Sequence, residues 1–171
     1  MKSVLRSIKP YWFYLICEGK KTIEVGKDYP KATDWNRTVE LYCSKDMKSF
    51  NRIPKEYQEK YRKYLGKVGA RFICKDVDEI VPDCQFGYLD YLALCDTCLS
   101  IEETSTYGKG RTLYGWHISD LKIYDKPKTL NEFKTGCKGC KERDTYHCKF
   151  YCYGERPITR PPQSWMFVKE L

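Results

Sequence analysis

The chain has 171 residues, of which 42% are apolar, 15% aromatic and 32% charged. This composition excludes a disordered chain. No apolar run approaches the roughly 18 residues of a membrane-spanning helix, so no membrane partner is expected. The net charge of +8 favours a polyanionic partner. The length predicts one domain over residues 1–171, and the absence of a secretion signal at its start predicts a cytoplasmic protein.

Segments with strand-like alternation or β-branched content recur along the chain. They cover residues 3–8, 20–27, 38–43, 67–81, 114–125 and the end of 160–171. Helices are predicted over 10–19 and 54–67, with one or two short ones over 90–104. Pro10 suits the first turn of a helix, and Gly19 suits the position after its last turn. Separated strands with helices between them predict an α+β, mainly β fold built as a small, partly open barrel.

Four of the ten cysteines crowd into the segment CKGCKERDTYHCKFYC, with the spacing C-x2-C-x7-C-x3-C. They are Cys137, Cys140, Cys148 and Cys152. Four thiolates hold tetrahedral zinc, and a C-x2-C pair chelates one metal from a tight turn. Two disulfides, four idle thiols, or His147 in place of Cys148 are the alternatives, and the expected reducing compartment disfavours disulfides. We predict a structural zinc ion in an insertion over 136–153.

The remaining cysteines give weaker signals. Three of them stand singly in apolar segments and are typical of small buried side chains: Cys17, Cys43 and Cys74. Cys95 and Cys98 form another C-x2-C pair, which Cys84 could join. Because such a site would lack its fourth ligand, core thiols are the favoured interpretation.

Four stretches in this order resemble the ASCH domain of the PUA-like superfamily: SIKPYWFYLICEGKKTIEVGK, GKVGARFICKDVDEI, YGWHISDLKIYDKP and RPPQSW. The four-cysteine insertion before the last stretch resembles members from bacteria and their phages. The resemblance implies a small β-barrel with flanking helices, located in the cytoplasm of a bacterial host cell. It also implies a cleft for RNA or modified nucleosides. A few ASCH-like proteins are enzymes, including acetylcytidine amidohydrolases.

The family's signature is G-x-K-x-x-E-x-R, and this chain matches it at Gly19, Lys21 and Glu24. The arginine position holds Gly26. Because residues 24 and 26 of a regular strand share a face, we expect no guanidinium beside Glu24. A β-bulge at Gly26 would turn Lys27 towards that face, although a lysine lacks the bidentate fork of an arginine. The departure puts activity in doubt more than binding.

Two interpretations fit Lys20, Lys21 and Glu24. They form the rim of a site, or they belong to an edge strand blunted by charge. We favour the site, because lysine contacts phosphate or carbonyl oxygens and a glutamate accepts hydrogen bonds from an exocyclic amine or a ribose hydroxyl.

Other candidate ligand-binding residues follow from their chemistry. Trp116 and Trp165 either stack a base or belong to the core. His117, beside Trp116, either faces a cleft or satisfies a buried hydrogen bond. Polar groups after a double proline offer base-edge contacts, and residues before the first helix lie where its N-terminus could hold a phosphate. These candidates are Ser7, Lys9, Lys27, Trp116, His117, Gln163, Ser164 and Trp165.

Three functions remain open. The favoured one is a domain that binds RNA or a modified nucleoside, with a regulatory role or an association with phages or mobile elements. The second is a nucleoside amidohydrolase or ribonuclease that uses Lys21 and Glu24 as catalytic residues, with Glu102 or Glu103 as a further carboxylate. In the amidohydrolase branch the residue aligned with Glu24 is a nucleophilic threonine, which makes a carboxylate there a poor substitute. The third is a phage-type protein that binds and inhibits a host protein.

Overall fold

Two β-sheets and several short helices make up the computed structural model, which describes residues 3–29, 37–82, 95–135 and 156–170. The strands are β1 (Ser3–Ile8), β2 (Ile23–Gly26), β3 (Arg37–Cys43), β4 (Lys67–Cys74), β5 (Val77–Ile80), β6 (Leu113–His117), β7 (Ser119–Lys128), β8 (Phe133–Thr135), β9 (Arg156–Pro157) and β10 (Trp165–Glu170). The helices are α1 (Pro10–Cys17), α2 (Met47–Phe50), α3 (Lys55–Arg62) and α4 (Ile101–Gly108). Within these ranges, none of the helices has the length and apolar character needed to cross a membrane.

The larger sheet has seven strands in the order β7-β4-β3-β1-β10-β8-β9, and the smaller one has three in the order β2-β6-β5. In the larger sheet β1 lies centrally. It runs parallel to β3 and antiparallel to β10. The strand is almost wholly buried, as its apolar sequence predicts. In the smaller sheet β2 is an edge strand paired with β6.

The chain passes twice from one sheet to the other at a corner. Only residues 75 and 76 separate β4 from β5, and only Ile118 separates β6 from β7. The prediction of single strands over 67–81 and 114–125 was therefore wrong. The segments before and after each corner are both strands, so the strand-like hydrophobic pattern continues through the corner and does not mark it. These corners join the two sheets in a barrel-like arrangement.

Helix α1 begins and ends where its sequence predicts. Pro10 occupies the first turn, and Gly19 adopts a left-handed φ of 69° just after the helix. The N–H of Gly19 donates to the Ile16 carbonyl and that of Lys20 to the Leu15 carbonyl, at 3.0 and 2.9 Å. This is a Schellman motif, which satisfies the last carbonyls and turns the chain sharply back.

An aromatic cluster joins α1 to α3 in the core. The rings of Tyr14 and Tyr61 meet edge to face at 5.2 Å, and those of Phe13 and Tyr64 lie 5.2 Å apart. Gly69 on β4 permits this packing, because a Cβ there would lie 2.5 Å from Tyr64 and 2.6 Å from Phe13. The tyrosine pattern of 54–67 thus marks core contacts, and the helix itself is shorter than predicted.

Candidate functional site

A cleft of about 1000 Å³ lies against β1, α1, β2, α4 and the segment that leads into β10. Its floor contains Arg6, Lys21 and Glu24, whose exposed fractions are 3%, 2% and 7%. Charged groups this deeply buried are rare unless they are paired. The burial of Lys21 and Glu24 does not fit a solvated edge strand, although β2 is an edge.

Glu24 is the shared partner of both buried cations. Arg6 Nη2 lies 3.1 Å from Glu24 Oε1, and Arg6 Nε lies 3.3 Å from the same oxygen. Lys21 Nζ lies 3.5 Å from Glu24 Oε2. We call these three residues the floor triad. With both cations ionised, the triad carries one excess positive charge.

The turn after α1 places Lys21 at the floor. The Schellman motif returns the chain onto the helix, and the Lys21 N–H donates to the Leu15 carbonyl at 3.1 Å. Its ammonium donates to the Thr97 carbonyl at 2.6 Å. Desolvation lowers the pKa of Lys21 below its ordinary value, and the nearby Glu24 carboxylate opposes that shift only in part.

Arg6 reaches the floor from the other sheet. Its side chain extends from β1 towards β2, where the guanidinium donates to Glu24. Nη2 also donates to the Val25 carbonyl at 2.7 Å. The guanidinium lies over the ring of Trp116, 4.8 Å from its centroid. The expectation that no guanidinium lies beside Glu24 was therefore wrong, because a residue 18 positions earlier supplies one.

Gly26 has a different role from the predicted one. The β2–β6 register is regular from Ile23 to Gly26, and Gly26 has no left-handed φ, so no bulge at Gly26 turns Lys27 towards Glu24. A Cβ at position 26 would lie 3.0 Å from Arg6 Nη2 and 3.1 Å from Nη1. The glycine therefore leaves room for the guanidinium. Lys27 nevertheless lines the cleft, with its ammonium 4.7 Å from the ring centroid of Tyr107.

The rim of the cleft carries further cations and carboxylates. The cations are Lys9, Lys27, Lys48 and Arg52, and the carboxylates are Asp46, Glu102 and Glu103. Arg52 pairs with Glu103 at 3.0 Å, and Lys9 lies 3.8 Å from Asp46. The carboxylates Glu102 and Glu103, predicted from sequence as the nearest ones to a catalytic site, do lie at the cleft.

Several predicted residues lie together at the cleft: Ser7, Lys9, Lys21, Glu24, Lys27, Gln163 and Ser164. The double proline brings its segment alongside β1. Ser7 Oγ donates to the Pro162 carbonyl at 2.6 Å, and the Ser7 N–H donates to the Ser164 carbonyl at 3.0 Å. At the start of α1, the Tyr11 N–H donates to Ser49 Oγ, so a side chain already occupies the position predicted for a phosphate.

Four other candidates do not line the cleft: Lys20, Trp116, His117 and Trp165. Trp116 is 1% exposed and supports Arg6 from the core. His117 Nε2 lies 2.7 Å from Asp78 Oδ2, in a pair whose side chains are 41% and 45% exposed. Trp165 packs on Trp116 and donates to Asp28 at 2.9 Å. Lys20 is exposed beside the Tyr14 ring.

Sequence reasoning missed four contributors to the cleft: Arg6, Trp12, Arg52 and Tyr107. Arg6 had a detectable signal, because an arginine inside the apolar strand SVLRSI must be buried and therefore needs a partner. The other three, Trp12, Arg52 and Tyr107, lie far apart in sequence, and no local pattern marks them as members of one site.

The four cysteines predicted to hold zinc lie outside the described residues, as do His147 and Cys84. Strands β8 and β9 flank that segment and pair with each other, with Thr135 opposite Arg156. Elsewhere, Cys43 and Cys74 are buried as predicted, and burial raises the pKa of their thiols to about 12 and about 11. Cys95 is exposed, which differs from the predicted core position.

No protein-family model matches the sequence, and no curated protein is significantly similar to it. Solved structures match in fold. ASCH from Zymomonas mobilis superposes with a TM-score of 0.58 at 15% identity, covering 98% of this chain and 87% of that one. A tyrosine-to-phenylalanine variant of that protein gives 0.59 at 15% identity, covering 99% and 91%, and a serine-to-alanine variant gives 0.58 at 14%, covering 98% and 88%. The chain therefore shares the fold of these ASCH structures, which confirms the predicted mainly β architecture.

Proposed function

We propose that this protein binds RNA or a modified nucleoside in the cleft above the floor triad. The observation that carries the proposal is the placement of Arg6, Lys21 and Glu24 together at the base of a cavity of about 1000 Å³. Small-molecule sites span roughly 300–1000 Å³, so this cleft accommodates at least a nucleoside. The resemblance to the ASCH family implies the same class of ligand, and the shared fold is consistent with it.

The lining chemistry suits a nucleotide. Lys27 and Lys48 are exposed cations at the rim, where they can contact phosphates outside the floor. Glu24 offers carboxylate oxygens to an amine or a hydroxyl. Trp12 and Tyr107 add aromatic rings, on which bases stack without strong sequence preference.

A salt titration tests this proposal. We expect the affinity for a short single-stranded RNA, measured by fluorescence anisotropy, to fall steeply with salt, since phosphate contacts release counterions. The double variant Lys27→Gln/Lys48→Gln should weaken binding and reduce the salt slope. The control Lys122→Gln/Lys126→Gln, on the exposed edge strand β7 away from the cleft, should bind like wild type. Absence of RNA binding at low salt would overturn the proposal and favour a protein partner.

Hydrolysis is a second candidate function, and the lowered pKa of Lys21 favours it. A lowered pKa makes Lys21 a better proton acceptor candidate than an ordinary lysine, and the Glu24 carboxylate lies 3.5 Å from its ammonium. Incubation of the protein with acetylated nucleosides and with RNA should then give products that Lys21→Met eliminates. Binding without turnover would leave the binding function alone.

We also propose a structural zinc ion held by Cys137, Cys140, Cys148 and Cys152. Their spacing supports it, and the pairing of β8 with β9 brings the two ends of the segment together. Elemental analysis should find one zinc per chain, and chelation should lower the melting temperature. Metal-free protein with an unchanged melting temperature would contradict the proposal.

A further inference from the structure

Arg6 carries a hydrogen-bond donor that the described part of the protein leaves without a partner. Its Nε and Nη2 atoms donate to Glu24 and Val25, whereas the buried Nη1 atom has no partner among the described residues. A buried donor without an acceptor destabilises the protein, so most are satisfied. Arg6 is among the residues that line the cleft, so a ligand oxygen that reaches Nη1 from the cleft would supply the missing acceptor.

The guanidinium is held in a fixed orientation. Two of its nitrogens are engaged by Glu24 and Val25, and its face lies on the Trp116 ring. Gly26 leaves the space beside Nη1 and Nη2 that any other side chain would enter. A donor oriented before the ligand arrives loses little conformational entropy on binding.

The charge of the floor defines the group that fits it. Two buried cations share the carboxylate of Glu24, so one positive charge is uncompensated. Buried charges need partners of opposite sign. A singly charged oxyanion would neutralise the floor, whereas a doubly charged terminal phosphate would leave one buried negative charge. Among nucleic-acid groups, the phosphodiester carries a single negative charge.

We propose that Arg6 binds one RNA phosphodiester at the cleft floor, with Nη1 donating to a non-bridging oxygen and the Lys21 ammonium beside it. This inference rests on the proposed function and names the chemical group that the floor recognises. Arg6 thereby acts from β1 as a ligand-binding guanidinium next to Glu24.

A competition experiment tests the assignment with the full chain. A dinucleoside monophosphate, its uncharged methylphosphonate counterpart and a nucleoside 5′-monophosphate each displace a labelled RNA oligonucleotide. We expect the phosphodiester to compete roughly tenfold or more better than the methylphosphonate, because a charge-assisted hydrogen bond is lost. A monophosphate that competes better than the phosphodiester would overturn the assignment.

Two variants test the role of Arg6 itself. Arg6→Lys keeps the charge but lacks the planar set of N–H donors with which a guanidinium can hydrogen-bond Glu24 and the ligand at the same time. Gly26→Ala keeps every charge and crowds the guanidinium, because its Cβ would lie 3.0 Å from Nη2 and 3.0 Å from the Asp28 carbonyl oxygen. This variant tests the role even if Arg6→Lys does not fold. Each folded variant should lose roughly 10- to 100-fold in RNA affinity and most of the preference for the phosphodiester. Lys122→Gln should lose neither.

The outcomes separate this inference from the function on which it rests. Wild-type protein that binds RNA, together with a folded Gly26→Ala variant of unchanged affinity and preference, would overturn the role of Arg6 alone. Equal competition by the phosphodiester and the methylphosphonate would do the same. Wild-type protein that binds no RNA would overturn the proposed function and the inference together.

Discussion

Two acid–base groups lie at neighbouring positions of the small sheet and differ in burial. In the β2–β6 register, Glu24 lies opposite Trp116. His117, which follows Trp116 in β6, lies opposite Ile23. The floor triad around Glu24 is nearly inaccessible to solvent, whereas the His117–Asp78 pair is more than two-fifths exposed. Alternation along β6 sends Trp116 and His117 to opposite faces.

Proximity in sequence therefore does not identify a site. Exposed ion pairs contribute about 0–1 kcal/mol, because water already solvates both partners. Buried charges cost several kcal/mol in desolvation and persist only with good partners. The floor triad thus carries a desolvation cost that the exposed pair does not.

The largest effect should follow from Glu24→Gln. This change leaves Arg6 and Lys21 without their shared counter-charge, and breaking a buried pair costs about 3–5 kcal/mol in free energy of unfolding. Urea denaturation measures the loss. Asp78→Asn is the matched control and should cost less than about 1 kcal/mol. Similar losses in both variants would remove the contrast between the two groups.

A moderate effect on binding should follow from Trp12→Leu. Trp12 lines the cleft and is only partly buried, so its loss should leave the fold intact. If the ring stacks a base, RNA affinity should fall by the equivalent of about 1–3 kcal/mol. Anisotropy measures the affinity, and Trp165→Leu, outside the cleft lining, is the comparison. Equal RNA affinity in Trp12→Leu and wild type would exclude stacking on Trp12.

The pH dependence of stability should reveal Lys21. Because burial lowers the pKa of Lys21 in the folded state, the unfolded chain binds more protons between that lowered pKa and the ordinary lysine pKa of 10.5. The free energy of unfolding should therefore rise with pH within this window. Lys21→Met should remove this part of the rise when urea denaturation is repeated at several alkaline pH values. An unchanged profile would show that the lysine is not desolvated.

The smallest effect should follow from His117→Ala. In acidic buffer, with the imidazole protonated, the exposed ion pair with Asp78 should contribute no more than about 1 kcal/mol, and concentrated salt should screen that contribution. Thermal denaturation at low and high salt measures it. A large loss of thermal stability that persists at high salt would mean that this pair contributes to stability as a buried pair does, and would remove the contrast with the floor triad.

Much of the fold was predictable from local sequence, because each signal had a local cause. Proline is favoured in the first turn of a helix, and Pro10 begins α1. Glycine readily adopts a left-handed φ, and Gly19 does so just after α1 ends. The corners between β4 and β5 and between β6 and β7 were not predictable, since hydrophobic periodicity continues through them. Each corner forms because the two strands on either side of it pair in different sheets, which is decided by tertiary contacts.

The site was predictable only where one segment carries it. Lys21 and Glu24 are three residues apart and were identified together. Arg6 was missed because its contact with Glu24 joins the two sheets, and only the tertiary fold brings β1 against β2. The residue type left Trp116 open between base stacking and the core, and the structure places it behind Arg6 in the core.

The most direct test of the central claim compares two single-charge deletions in RNA binding at fixed, low salt. Lys21→Met removes the buried floor cation, and Lys122→Met removes an exposed cation from the distant edge strand β7. We predict that Lys21→Met weakens RNA binding roughly tenfold or more, while Lys122→Met binds within about twofold of wild type. Equal affinities for wild type, Lys21→Met and Lys122→Met would contradict a ligand site at the cleft floor.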